Sequence, residues 1–217
     1  MKKILFLFIL LFLNLAGCDQ AKDDVSNEKN KSIEQESVDS NTSLKTIFEG
    51  NKNAKIEIIV FESLTCSHCA SFHKEIYPKL KKNFVDNDFV KIVFKSFPLD
   101  LAALNASKIA HCNNDGNSKI LHLLYEKQND WVKGEDIKDY NSNLRTIIKD
   151  ENIELDFDKC LNNKLLEDHI LEQRIEGVKK YKVNATPTII INEEKFDKPL
   201  TYKNLEKIIE KKIKVLY

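Results

Sequence analysis

The sequence predicts an α/β protein in which a block of helices is inserted between two strand-bearing segments. Three observations carry this. Two apolar runs, Ile56 to Phe61 and Val90 to Phe94, read as strands and bracket a stretch with the four-residue apolar spacing of a helix. From Asp100 to about Lys180 helical candidates succeed one another with no strand pattern. After Val183 the chain returns to a short strand pair and closes on an amphipathic helix. The order strand, helix, strand, helical block, strand, strand, helix is that of an α/β or α+β fold with a helical insertion.

Leu44 to Glu49 reads as a short edge strand, closed by a turn over Gly50 to Asn53. Ile56 to Phe61 is apolar except for Glu57, which suits a central strand covered on both faces. A short turn leads to a helix starting at Cys66, with Thr65 at the expected N-cap. Phe72, Ile76, Leu80 and Phe84 give that helix one buried stripe, and Pro78 should kink it near Lys74. Helices are expected over Leu101–Cys112, Ser118–Gln128, Ile137–Lys149, Phe157–Leu161 and Leu165–Lys180, the first three separated by turn signals at 113–117 and at Lys133-Gly134. Strands at Thr188–Ile191 and Lys195-Phe196, turned at Asn192 to Glu194, precede a helix from about Tyr202 to Lys214. No internal repeat is visible.

Composition is that of an ordinary globular chain, with 217 residues, 42% of them hydrophobic and 31% charged, enough for one domain with a sizeable core. The 34 basic and 34 acidic residues are interleaved without a basic stripe, which argues against a nucleic-acid partner. Only five Gly and four Pro favour helices over a turn-rich sandwich.

The N-terminus reads as an address. Met1-Lys2-Lys3 is a short positive segment, and Ile4 to Leu15 is apolar except for Asn14, too short to span a bilayer comfortably. It ends in Leu15-Ala16-Gly17-Cys18, which looks like a bacterial lipobox. The expectation is a signal peptide over 1–17, cleaved before a lipidated Cys18, and Asp19 resembles an inner-membrane retention signal of some Gram-negative lipoproteins. The plain alternative is an ordinary cleaved signal with an incidental cysteine. The protein is then anchored in the periplasm, on the outer face of the plasma membrane. Residues 18–43 are polar and read as a disordered tether, with a marginal helix as the alternative. The tether is too short for a dimerisation domain, so a monomer is expected. Five cysteines are an odd count for an exported chain, and assigning Cys18 to lipid leaves Cys66, Cys69, Cys112 and Cys160.

The chemistry centres on Cys66-Ser67-His68-Cys69 at the strand-to-helix junction. The first helical N–H groups lack intrahelical partners and the helix dipole is positive there, so a thiolate at Cys66 is stabilised and its pKa falls. An imidazole at His68 further favours the anion. This suits a dithiol that cycles with a disulfide. A C-x-x-C also serves zinc sites, and Cys66, Cys69 and His73 have ligand-like spacing. On a helix, however, His73 falls a full turn beyond Cys69 and no second ligand pair is evident, so no metal is assigned. His73 is read as a helix-face residue near the site. His111, His122 and His169 are read as ordinary surface or packing residues, and Trp131 as core or interdomain packing. Cys112 and Cys160, each in a predicted helix, are expected to pair in an oxidising compartment, against the alternative of two separate buried thiols.

With these motifs placed, the sequence resembles the DsbA-like thiol:disulfide oxidoreductases of the bacterial cell envelope. The match rests on Phe61 to Cys69 at the junction, Phe94 to Asp100 after the next strand, a helical insertion of the expected size, and Ala185-Thr186-Pro187-Thr188 before the last strand pair. The resemblance implies a thioredoxin fold over residues 44–99 and 181–217 with an inserted helical domain over 100–180. It implies a cis Thr186-Pro187 peptide facing the active site, where the Thr186 backbone can pair with an extended substrate. It implies disulfide donation to exported proteins with free thiols through a Cys66–Cys69 disulfide, reoxidation by a membrane quinone-linked (DsbB-like) partner, and no metal or soluble cofactor. An isomerase or reductase of the same fold is the alternative, followed by an envelope metal-handling or binding lipoprotein. Two positions depart from the pattern. Ser67 replaces the proline of the best-known members, and Val60 stands where some relatives place a buried acid. Glu62 is near, at the expected strand end.

Overall fold

The computed structural model describes residues 43–217. The signal segment 1–17, Cys18, Asp19 and nearly all of the tether lie outside the described residues. The strands are β1 (Ile47–Glu49), β2 (Ile56–Glu62), β3 (Val90–Ser96), β4 (Thr188–Ile191) and β5 (Glu194–Lys195). They form one sheet in the order β1-β3-β2-β4-β5. β2 and β3 run parallel in the register Ile58 to Ile92 and Val60 to Phe94, and β4 runs antiparallel to β2, pairing Val60 with Ile189. β1 closes the β3 edge, but it starts only at Ile47, three residues later than the sequence suggests.

The helical stretch 67–85, here α1, links β2 to β3. Beyond β3 come α2 (Leu101–His111), α3 (Lys119–Glu126), a single turn α4 (Gln128–Trp131), α5 (Ile137–Asp150), α6 (Phe157–Leu161) and α7 (Lys164–Tyr181). After the β4–β5 hairpin the described chain ends with α8 (Tyr202–Leu216). This is the thioredoxin fold with a helical block between its two halves. Caps set most of the starts. Asp100, Asp136, Asp156, Asn163 and Thr201 each accept a hydrogen bond from a first-turn N–H of the helix they precede. The sequence reading missed α4, which is too short to show periodicity.

Alternation along β2 divides the core. Ile56, Ile58 and Val60 join the large cluster under α1, α8 and the helical block, whereas Ile59 and Phe61 join Val93, Phe97, Tyr181, Val183 and Ile190 on the other face. Trp131 is fully buried in the large cluster, where its indole N–H donates to the Leu124 carbonyl at 2.8 Å. His111 packs edge-on against His169, and burial holds its pKa down at about 4. No helix among the described residues is long and apolar enough to cross a membrane.

α1 departs from the simple helix expected. It alternates α-helix at Ser67–Ser71 and Tyr77–Leu80 with π-turns at Phe72–Ile76 and Lys81–Val85. The first π-turn ends just before Pro78, which has no N–H to give the Lys74 carbonyl and whose ring crowds that turn. A wider turn relieves both problems. Each π-turn adds a residue to the repeat and rotates the helix beyond it. The buried stripe is therefore Phe72, His73, Tyr77, Leu80, Phe84 and Val85, and Ile76 is displaced to a half-buried position.

Candidate active site

The site is built where β2 ends. Ser63, Leu64 and Thr65 turn the chain from β2 into α1, and the turn is tied down from three directions. Thr65 Oγ1 donates to Asp100 Oδ2 at 2.7 Å, while the other oxygen of Asp100 caps α2. Ser63 Oγ accepts from the Leu99 N–H at 3.3 Å. From the helical block, the buried Gln128 donates to the carbonyls of Leu64 (2.8 Å) and Cys66 (3.1 Å). Thr65 therefore does not cap α1. Its hydroxyl is spent on Asp100, and Cys66 itself occupies the N-cap position with extended backbone (φ −81°, ψ 119°).

That placement points the open N-terminus of α1 at the Cys66 sulfur. The Cys66 thiol is half-buried, Ser67 and His68 are exposed, and Cys69 is fully buried. The hydrogen bond from the Cys69 thiol is the largest influence on Cys66. Burial opposes it, but Thr186 and the backbone N–H groups of Cys69 and His68 add to it, and the pKa falls from 9.0 to about 5. His68 thus acts on the sulfur through its backbone. Cys69 moves the other way. Burial, its hydrogen bond to Cys66 and the charge of Glu62 all push its pKa far up. At neutral pH the pair is one exposed-side thiolate and one buried thiol.

Thr186-Pro187 is a cis peptide, and the Thr186 carbonyl lies 3.3 Å from the Cys66 sulfur as the acceptor of its thiol. A groove of about 290 Å³ runs beside it, lined by His68, Phe72, Ile76, Thr186, Pro187 and Leu200. Cys112 and Cys160 lie well away in the helical block, joined as a disulfide between the end of α2 and α6 with Cα atoms 5.5 Å apart.

A second feature was not expected. Glu62, at the end of β2, is 3% exposed, and its carboxylate is 2.7 Å from His73 Nε2. His73 Nδ1 is 3.0 Å from His122 Nδ1, and His122 Nε2 is 2.7 Å from Glu49 Oε1. Tyr77 and Ser118 also donate to Glu49. Burial raises the Glu49 pKa, but the hydrogen bonds from His122, Ser118 and Tyr77 outweigh it and hold the carboxyl well below the usual range. His73, expected on a helix face near the site, is there and is buried. It is buried within the first π-turn, and Glu62 and His122 engage both its ring nitrogens, so neither is free to ligate a metal. His122 is likewise a member of this chain rather than an ordinary packing residue. Tyr125, fully buried from α3, stacks on His73 at 4.0 Å and sits against Cys69. Its hydroxyl, Glu62 Oε1 and the Thr186 hydroxyl are the buried side-chain polar atoms left without a hydrogen-bond partner among the described residues. The charge of Glu62 acts on Cys69, and Tyr125 and Thr186 lie beside the two sulfurs. A carboxylate closing a strand that is apolar apart from Glu57 was the one visible signal for this chain of groups. Glu49, His122 and Tyr125 are too distant in sequence to be grouped with the motif.

A family profile described as thioredoxin matches residues 42–211. A provisionally named protein-disulfide oxidoreductase of Rickettsia bellii is 26% identical over 147 residues, covering 66% of this chain and 55% of that protein. The chain therefore spans little more than half the length of that relative. Disulfide bond formation protein D of Bacillus subtilis is 28% identical over 175 residues, 76% of each chain. Among solved structures, alpha-DsbA1 of Wolbachia pipientis is similar with a TM-score of 0.69 at 26% identity, covering 76% of this chain and 89% of that one.

Proposed function

The chain belongs to the thioredoxin family, and from that premise we propose that it is a thiol:disulfide oxidoreductase that introduces disulfide bonds into exported proteins through a Cys66–Cys69 disulfide. The observation that carries this is the opposed protonation of the two thiols at one helix start, Cys66 near pKa 5 and Cys69 pushed far up.

A substrate thiolate attacks Cys66 Sγ, the accessible sulfur of the disulfide. A substrate–Cys66 bond forms, the Cys66–Cys69 bond breaks, and Cys69 leaves with the electron pair. A second substrate thiolate attacks the substrate sulfur of the mixed disulfide, releasing an oxidised substrate and the Cys66 thiolate. Because Cys66 is stabilised as a thiolate, the reduced protein is favoured and the disulfide is a strong oxidant. Thr186 and Pro187 hold the substrate segment, with the Thr186 backbone as pairing partner, and Ser67 and His68 tune the potential. Cys112–Cys160 is structural. No metal or soluble cofactor takes part.

The substrates are unfolded or folding exported proteins with free thiols, and a membrane quinone-linked reoxidase restores the disulfide. The protein works as a monomer in the periplasm, held on the outer face of the plasma membrane by lipid on Cys18 after removal of residues 1–17, with 18–43 as tether. Detergent-phase partitioning that disappears in Cys18→Ser supports the anchor, and partitioning that survives the substitution removes it.

Equilibration of the Cys66–Cys69 pair with glutathione tests the activity. The expected potential lies nearer about −120 mV than about −270 mV, and a value below about −220 mV makes the protein a reductase. Peptide oxidation should be lost in Cys66→Ser. Rescue of a scrambled substrate, without net oxidation of a reduced peptide, would identify an isomerase instead.

A further inference from the structure

We propose that Glu62 and His73 share one transferable proton that passes to and from the buried Cys69 thiol, and that His122 and Glu49 fix His73 in the tautomer that makes this possible. The proposal rests on the dithiol chemistry proposed above and names the groups that manage its proton.

Counting hydrogens carries the inference. The contacts Glu62–His73, His73–His122 and His122–Glu49, at 2.7, 3.0 and 2.7 Å, each need one hydrogen between the two atoms. Two neutral imidazoles bring only two. Glu49 fixes the direction of the chain. It is an anion that accepts from Tyr77 and Ser118, with Lys81 Nζ 3.4 Å away, so His122 Nε2 carries a hydrogen toward it. With His122 neutral, its Nδ1 is then bare and accepts from His73 Nδ1. That leaves His73 Nε2 without a hydrogen of its own, facing a carboxylate oxygen that is also without one. Two lone pairs at 2.7 Å in a buried site repel, so a third hydrogen sits between them. It makes Glu62 a carboxylic acid or His73 an imidazolium, and either form holds one proton more than the neutral ring and free carboxylate.

The position of the pair gives that proton its use. Glu62 and His73 side chains are 2% and 5% exposed, while Glu49 and His122 are 16% and 25% exposed. The chain thus runs from the buried dithiol outward, to a groove of about 680 Å³ that His73, Tyr77, His122 and Tyr125 line. The second Glu62 oxygen has no partner, and the Glu62 charge acts directly on Cys69. The Tyr125 hydroxyl, also unpartnered, sits against the same sulfur. When the disulfide opens, Cys69 leaves as a thiolate in a site that water does not solvate, and the stored proton passes from the pair to its sulfur. The pair refills from the groove. When a disulfide-bearing oxidant has captured Cys66, the pair first releases its proton to the groove and then takes the Cys69 S–H proton. The resulting thiolate attacks Cys66 Sγ, the Cys66–Cys69 bond forms, and the oxidant leaves as a thiolate. Proton flow alternates in direction within each turnover, so the store is emptied and refilled once in each half of the cycle.

The test tracks closure of a Cys66–glutathione mixed disulfide by rapid mixing across pH. Wild-type protein should close with a rate nearly flat around neutrality. Glu62→Gln, which keeps the shape but holds no transferable proton, should close about a hundredfold more slowly at neutral pH and gain rate with every rise in pH. His122→Gln should slow closure in the same direction while leaving the Cys66 thiolate titration, read at 240 nm, where it is in the wild type. Wild-type closure rates and pH profiles in folded variants overturn the inference. A wild-type protein that never closes on glutathione overturns the oxidoreductase reading instead. Should the variants not fold, nitrogen-15 NMR of the wild-type imidazoles decides. A hydrogen on His73 Nδ1 in both redox states is expected, and a bare Nδ1 there overturns the inference.

Discussion

At Cys66 burial and hydrogen bonding oppose each other, and hydrogen bonding wins because several donors converge on one sulfur. This gives the pH effect its sign. The folded-state pKa is depressed from 9.0 to about 5, so the stability this thiolate gives the reduced protein is complete above about pH 9 and is lost as pH falls through about 5. The buried Cys69 titrates above that window. Urea unfolding of the reduced protein should therefore show stability falling between pH 8 and pH 5 more steeply in the wild type than in Cys66→Ser, and equal slopes would mean the thiolate is not stabilised. The motif itself was legible in the sequence, since a C-x-x-C after an apolar run puts a sulfur at a helix start. Glu62 was visible only as a polar residue at a strand end. Whether such a residue meets water or a buried imidazole depends on what packs over the strand.

Among the elements, α1 and α7 show packing overriding pattern. Four-residue spacing pointed to Ile76, but the π-turn before Pro78 substitutes Tyr77 in the buried stripe. In α7, Gly177 sits where helix propensity alone would favour alanine. A Cβ there would lie 2.9 Å from two Phe61 ring atoms and 3.4 Å from Phe97. The propensity gain is about 1 kcal/mol, and overpacking a buried site costs roughly 1–3 kcal/mol. Gly177→Ala is therefore expected to lower the thermal midpoint, with up to about 2 kcal/mol lost. A raised midpoint would show that α7 is free to lift from the sheet. The helix boundaries themselves were close to expectation, because Asp100, Asp136, Asp156, Asn163 and Thr201 mark their starts chemically.

Over the whole molecule the helical block works as a clamp on the dithiol. Its Gln128 holds the carbonyls before and at Cys66, its Tyr125 covers Cys69, and its His122 completes the buried chain to Glu49 on β1. The Cys112–Cys160 bridge ties that block across a sequence separation of 48. Loop-closure entropy assigns it roughly 4 kcal/mol. Replacing both cysteines by alanine should cost about that much in denaturant unfolding at fixed active-site redox state, and a loss well under 1 kcal/mol would mean the block holds itself together. By itself the sequence determined the strand and helix order, the redox motif at a helix start, the distant Thr186-Pro187 and the family resemblance. All of these are local, written in periodicity, capping residues and short spacings. Only the tertiary structure decided which groups surround Cys69. Glu49, Glu62, His73, His122 and Tyr125 come from a sheet edge, a sheet centre, a distorted helix and the inserted block. Their meeting depends on register and packing across the fold, which no local pattern encodes.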